Sequence, residues 1–371
     1  MAERKPARGA PSVRQLYRDV YADPRNDENR RRLATRLEEL GDPHGEFIRL
    51  QMERAETSGE LSERERELRS KYANQWLGRI ANQIGVELFH KGFVFRACVG
   101  PPDVPAEHVV PGWAWGTRAL GSGTEEQWAT LERLSLWRSI MSGTEKLLAH
   151  PNLHGLREIA DLPREDLRVL AAGPVRPLQL LEIGWPRHKN YYDYRAYESL
   201  LAKTFSRTPE LEGARFPARQ LTLERIEALT AELSQLRRLW VGVEMGRSFA
   251  ELVDFAKQRG LDGISALSAY DLGMDLPSAT MFLRFPSINF HDDMSATVAV
   301  ELEKLKPKHL VIRKPVEATV EERGAGSPPV LLRHGERLDL ETLFDAAASV
   351  GASFAIEPDP IHWSRSPQRD S

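Results

Sequence analysis

The sequence predicts an α/β chain: an N-terminal helical module, then an irregular array of short parallel strands with helical returns, closed by a C-terminal cap. Three observations carry this. Apolar residues before residue 85 recur at helical spacing, and apolar triplets after residue 131 recur at strand spacing. The composition, 41% hydrophobic and 28% charged over 371 residues, is that of a folded chain long enough for two domains or one elongated array.

The helical module comes first. Asp27 is placed to cap a helix running to Leu40, with Glu28 near its positive end and Gly41 just past its last turn. Leu33, Leu37 and Leu40 form one apolar stripe. Asp42-Pro43 restarts the chain, and Phe47, Ile48, Leu50 and Met52 supply the next buried face. After a break at Ser58-Gly59, a third helix is predicted from about Ser62 to Ile80, with Leu68, Tyr72, Trp76, Leu77 and Ile80 inward. Glu46 and Arg49, three apart, are expected to form a solvated pair worth tenths of a kcal/mol.

Three segments here form a longer motif: Ala22-Asp23-Pro24, Leu37-Glu38-Glu39-Leu40-Gly41-Asp42-Pro43, and Gly45-Glu46-Phe47-Ile48-Arg49-Leu50-Gln51. Together they resemble the repeat-companion domain, a short bacterial module placed ahead of leucine-rich repeats. The resemblance covers about the first fifth of the chain. It implies that Phe89-His90-Lys91-Gly92-Phe93-Val94 is the strand-forming stretch that follows the module. Thr35-Arg36 stand where the family often has Asp-Trp. The family implies no catalytic residues.

From Leu131 onward a pattern recurs: a mostly apolar residue, two variable ones, a central apolar residue, one variable, then another mostly apolar residue. Its copies are Leu131/Leu134/Leu136, Leu156/Ile159/Asp161, Leu178/Leu181/Ile183 and Ala218/Leu221/Leu223. Four more follow: Leu236/Leu239/Val241, Leu261/Ile264/Ala266, Ser278/Met281/Leu283 and Pro307/Leu310/Ile312. The central residues step by 25, 22, 40, 18, 25, 17 and 29. Leucine-rich repeats step by about 20–29 residues, and four of the seven steps fall in that range. The expected architecture is therefore a degenerate leucine-rich-repeat-like solenoid with a parallel sheet, in which stacking buries a core that no single unit could bury. Helical returns are expected at 248–258 and 191–205, the latter an insertion. Asp161 interrupts the buried side of its strand, and a different α/β arrangement stays open as the alternative.

The chain thus divides into a basic tail (1–11), the helical module (12–85), the repeat-like array (86–323), a cap (324–357) and a second tail (358–371). The cap reads as a strand Val330–Arg333, a helix Leu340–Val350 and a strand Ala352–Ile356, after the break Gly324-Ala325-Gly326-Ser327-Pro328-Pro329. No apolar run reaches the roughly 18 residues of a spanning helix. A formal net charge of -3 gives no bulk attraction to nucleic acid or an anionic membrane. Cys98 is the only cysteine, which rules out an intrachain disulfide and favours a cytoplasmic setting.

Motifs for metal hydrolysis, phosphate binding and nucleophile elbows are missing from the sequence. Cys98 and the run His291-Asp292-Asp293 are the residues an enzyme would draw on, and each reads more simply as a buried thiol and a turn or cap. Trp113-Ala114-Trp115-Gly116 reads as an aromatic loop over the array's first end, or as a lid. The stronger signal is the exposed, concave face of the strands. Ser135 and Thr222 are placed there, together with the candidate partner-binding residues Trp137, Glu182, Glu224, Trp240, Phe282, Arg284 and Arg313. Aromatic and Arg residues anchor interfaces. The expected function is a non-catalytic, cofactor-free scaffold that binds another protein. An enzyme with a dispersed polar site, or a regulator binding through the helical module, are the alternatives.

Overall fold

A computed structural model describes residues 11–57, 59–82, 84, 86–98, 125–136, 144–184, 194–218, 221–242, 248–267, 271–284, 292–314, 319–321, 328, 330–333 and 336–358. It is a mixed α/β fold with mostly parallel pairing, and it divides into two compact units, Met1–Leu178 with Gln368–Ser371, and Gln179–Pro367. Among the described residues, no helix is long and apolar enough to cross a membrane.

The first unit opens with four helices where three were expected: α1 (Val13–Ala22), α2 (Asp27–Glu39), α3 (Pro43–Thr57) and α4 (Glu63–Leu77). α1 escapes the periodicity reading because only Leu16 and Val20 are buried on it, yet Ser12 caps it through the Gln15 amide at 3.2 Å. The cap of α2 is Asn26, which accepts from the amides of Glu28 and Asn29. Asp27 instead receives the Lys91 ammonium at 2.6 Å. Gly41 takes the left-handed conformation (φ 73°) that ends α2, and the Asp42 amide donates back to the Leu37 carbonyl. Ser62 and Glu65 close a reciprocal capping box on α4. Glu46 and Arg49 do not pair with each other: Glu46 takes Arg64 of α4 at 2.7 and 2.9 Å, and Arg49 takes Glu38 of α2 and Glu53. Helix-to-helix neighbours outcompete the expected i,i+3 pair because α3 lies between α2 and α4.

After α4 come the hairpin β1 (Val86–His90) and β2 (Phe93–Cys98), then β3 (Arg133–Ser135), α5 (Thr144–Leu148), β4 (Glu158–Leu162) and α6 (Leu167–Ala172). β1 and β2 are antiparallel; β2, β3 and β4 run parallel, with Ala97, Leu134 and Ile159 in register. The hairpin turn has Lys91 at φ 51° and Gly92 at φ 86°, the pair of positive values a tight two-residue turn demands. That turn is gripped by the helices. Buried Arg30 donates to the carbonyls of His90 and Lys91, and the Gly92 amide donates to Gln51 Oε1 at 2.8 Å. His44 stands 2.8 Å from the Gly92 carbonyl through Nε2 and 2.7 Å from the Tyr17 hydroxyl through Nδ1. The Gly92 carbonyl requires a hydrogen on Nε2, and in the neutral ring Nδ1 accepts the Tyr17 O–H. Burial, slightly offset by the Gly92 carbonyl and Asp42, holds its pKa at about 4. Burial likewise pushes the Tyr17 and Tyr21 hydroxyls up. The expected boundary at residue 85 thus falls inside this unit.

The second unit alternates strands and helices: β5 (Leu180–Ile183), α7 (Tyr194–Ser206), β6 (Gly213–Pro217), α8 (Leu223–Thr230), β7 (Arg238–Gly242), α9 (Phe249–Gln258) and β8 (Gly263–Leu267). It continues with β9 (Asp271–Asp275), β10 (Thr280–Arg284), α10 (Asp292–Leu305) and β11 (His309–Lys314). Last come β12 (Thr319–Glu321), β13 (Val330–Arg333), β14 (Glu336–Asp339), α11 (Glu341–Ser349) and β15 (Ser353–Pro358). The main sheet follows chain order, β5-β6-β7-β8-β9-β10-β11-β15, parallel except for β9. β12, β13 and β14 form a separate antiparallel sheet.

One apolar row crosses all eight strands in register: Leu181, Ala214, Leu239, Ile264, Met274, Met281 and Leu310, all buried, and Phe354, half-buried. Five of these are central residues of the sequence pattern. The copy Ala218/Leu221/Leu223 is the exception and is corrected: its strand is Gly213–Pro217, with Leu211, Ala214 and Phe216 in the three places. Leu221 lies ahead of a helix that Thr222 caps through the Arg225 amide. With Ala214 as central residue, the steps of 40 and 18 become 33 (181 to 214) and 25 (214 to 239). At Asp161, where the buried side of the strand was expected to be interrupted, the backbone has φ 54°, the side chain lies 3.4 Å from the Ser135 hydroxyl, and Leu162 is buried instead.

Right-handed crossovers between strands in chain order put their helices on one face. Phe205 of α7 meets Phe216, and Phe344 of α11 meets Phe354, both on the core side. Ser248, at the start of α9, makes no side-chain cap to its own helix. Glu301 of α10, buried, supplies it instead, accepting from the Ala250 amide at 2.8 Å and from Ser248 Oγ, with Lys304 at 3.0 Å. Replacing Glu301 with Ala is expected to cost about 2 kcal/mol, through one lost cap and one orphaned buried amide. Urea denaturation of the two chains measures it, and an unchanged midpoint would mean that water serves the α9 amides equally well.

Candidate interaction surface

Strand alternation sorts the second unit's side chains into a core face and a helix-free face. On the core face the apolar rows are sealed; on the other stand Glu182, Arg215, Trp240, Ser265, Gly273, Phe282, Val311 and Ala355, one per strand in register. Two residues further along β10 and β11, Arg284 and Arg313 are neighbours.

The two aromatic residues lie along the sheet, each over a glycine of the preceding strand. A Cβ on Gly213 would come within 3.1 Å of the Trp240 ring, and one on Gly273 within 2.0 Å of the Phe282 ring. Each ring therefore covers backbone that a side chain would otherwise fill, the device by which aromatics shield sheet glycines. Arg313 caps Phe282, its guanidinium 4.3 Å from the ring centroid. Trp240, Phe282, Arg284 and Arg313 are all half-buried. The structure thus brings four of the sequence-derived candidates to one face, two of them touching.

The other three fare differently. Glu182 is on the same face but buried, its carboxylate 3.9 Å from Arg215, so it supports a neighbour and is not open to contact. Glu224 sits in the first turn of α8 with Thr222 as that helix's cap, not on a strand face; the misplaced repeat copy is the reason. Trp137 lies outside the described residues, as do the Trp113–Gly116 loop, His291 and the break at 324–327. Sequence reasoning missed Arg215, Gly213 and Gly273. The first two belong to the copy displaced by Leu221. Gly273 belongs to β9, whose Leu272 and Met274 stand between aspartates and carry no repeat signature.

On the first unit's sheet the corresponding face holds Cys98, Ser135 and Ala160 in register, with Arg96, Arg133 and Glu158 two residues earlier. Arg133 pairs with Glu158 at 3.0 Å. Burial, then the neighbouring Arg133, bring Arg96 down to about 10, and burial raises Glu158. Cys98 is half-buried. Asp292 begins α10. Among the described residues, no three His, Cys, Asp or Glu side chains are grouped to hold a metal ion. No protein-family model, curated protein or solved structure matches this chain.

Proposed function

We propose that the chain is a non-catalytic binding protein, and that the helix-free face of its second unit receives a segment of another protein. The observation that carries this reading is the pairing of two sheet-lying, half-buried aromatics with arginines, Trp240 beside Arg215 and Phe282 beneath Arg313. Rings fixed by backbone beneath them lose little freedom on contact, and half-exposed Trp and Arg are the residue types that dominate binding energy. We read the architecture as a repeat-companion module followed by degenerate leucine-rich repeats, working in the bacterial cytoplasm. Support comes from the repeat residues that share one buried row and from Gly45 of the motif, whose missing side chain lets α3 meet α2.

The test is quantitative capture. A chain carrying Trp240→Ala, Phe282→Ala and Arg284→Ala, matched to the parent in thermal melting, is expected to lose at least about tenfold in affinity for the protein that co-purifies with the parent. Undiminished binding by the triple variant would remove this face from consideration.

A further inference from the structure

We infer that the second unit's sheet is extended by a second copy of this chain, β15 pairing antiparallel with the partner's β15 across a two-fold axis at Ala355. β15 is the last strand of the sheet, with β11 on one side. The Ser353 amide donates to the Lys308 carbonyl at 3.0 Å, which directs the backbone groups of Ser353, Ala355 and Glu357 toward β11. Those of Phe354 and Ile356 therefore point outward, and among the described residues they meet no partner. The side chains show the same opening. Leu310 and Ile312 of β11 are buried, whereas Phe354 and Ile356, in register with them, are half-buried. Sheet edges are ordinarily blunted by charge or proline, yet the outward positions here are Phe and Ile, and Pro358 comes only at the strand's end.

The strand is complementary to itself in one antiparallel register. With Ala355 on the axis, Phe354 and the partner's Ile356 exchange both backbone bonds, and the symmetry repeats the exchange. The next rung would set Ala352 against the partner's Pro358, and neither can donate. Proline lacks an amide hydrogen, and the Ala352 amide already donates to the Ala347 carbonyl at 2.9 Å. The ladder thus ends where its donors end. On the core face Phe354, already against Phe344 of α11, meets the partner's Ile356. On the helix-free face Glu357 comes opposite the partner's Ser353, so one row reads Arg313, Glu357, the partner's Ser353 and the partner's His309. Like charges stay apart. A shift of two residues either way leaves half-made rungs and takes Glu357 away from Ser353.

Sedimentation equilibrium of the full chain, expected to show a dimer at micromolar concentration, provides the test. Ile356→Pro removes an outward amide and no bond to β11; with thermal melting matched to the parent, it is expected to weaken the dimer at least about tenfold. Ser353 is exposed, so its variants probe the register without touching the core. Ser353→Glu is expected to weaken the dimer about fivefold, Ser353→Lys to tighten it about fivefold, and Glu357→Gln to erase the difference. Within one chain residues 353 and 357 stand about 13 Å apart, too far for direct contact, so only pairing between copies couples them. A chain that stays monomeric to about 100 μM overturns the inference. So does a dimer indifferent to Ile356→Pro, or to the sign of the charge at residue 353. A monomer that dimerises only when residues 359–371 are deleted puts the chain's own tail on this strand and overturns it too.

Discussion

Acidification from neutral pH to about pH 5 is expected to loosen the grip of the helices on the β1–β2 turn, through His44. The unfolded chain protonates this imidazole near its ordinary pKa of about 6.5, whereas the folded one resists until about 4 because the ring is buried. Between those values the unfolded state binds the extra proton, so stability falls as pH falls. The contribution is complete above about pH 6.5 and is gone below about pH 4, a total of about 3 kcal/mol at roughly 1.4 kcal/mol per pK unit. By about pH 5 some 2 kcal/mol is lost. Hydrogen exchange at the Gly92 amide, which donates to Gln51, reports it directly. After correction for intrinsic rates, its protection is expected to drop about thirtyfold. His44→Gln keeps a donor for the Gly92 carbonyl and removes the titration, so its protection is expected to be lower at neutral pH and flat across this range. A His44→Gln chain with the parent's pH dependence would move the effect to another group.

Gly45→Ala is expected to destabilise the first unit by about 3 kcal/mol or more. Its Cβ would lie 2.6 Å from the Glu38 amide nitrogen and 2.7 Å from the Ala34 carbonyl oxygen. Both are α2 backbone, which no rotamer change can clear, so α2 and α3 must part and open the seam around Leu33, Leu37, Ile48 and Met52. Gly41→Ala is the contrast. Its φ of 73° is strained for alanine but nothing stands within 4 Å, so about 1 kcal/mol is expected. Urea denaturation followed by circular dichroism separates the two, and equal midpoints would mean that the helices can part freely.

Apolar alternation made most strands legible because within each unit their central residues share a buried row. Leu134, Ile159, Leu181, Leu239, Ile264, Met281 and Leu310 are each 0 or 1% exposed. The reading failed where a neighbour, rather than the strand's own pattern, decides the outcome. At β6 the central residue is the small Ala214, and the large apolar side chain on the core side is Phe216, which meets Phe205 of α7. Gly273 is bare because Phe282 lies on it. The candidate surface was half legible for the same reason. Alternation puts Trp240 and Phe282 on the correct side, but Glu182 is buried by a contact with Arg215 that no local signal announces. Arg30, His44 and Gln51 escaped altogether, since a pattern reader assigns polar residues to the surface and these three are buried to hold a turn some forty to sixty residues away.

The strictly sequential order of the second unit also bears on how the chain acquires it. From β5 to β11 each new strand can add to the one just made, so growth needs only short-range closure and little search. β15 breaks that economy. Its partner β11 must wait through β12, β13, β14 and α11 with Leu310, Val311 and Ile312 on an unclosed rim. During that interval a nascent chain presents a bare apolar strand edge, the kind of template on which neighbouring copies clump. Completion of this protein, more than its initiation, is the step at which a chaperone would have most to do.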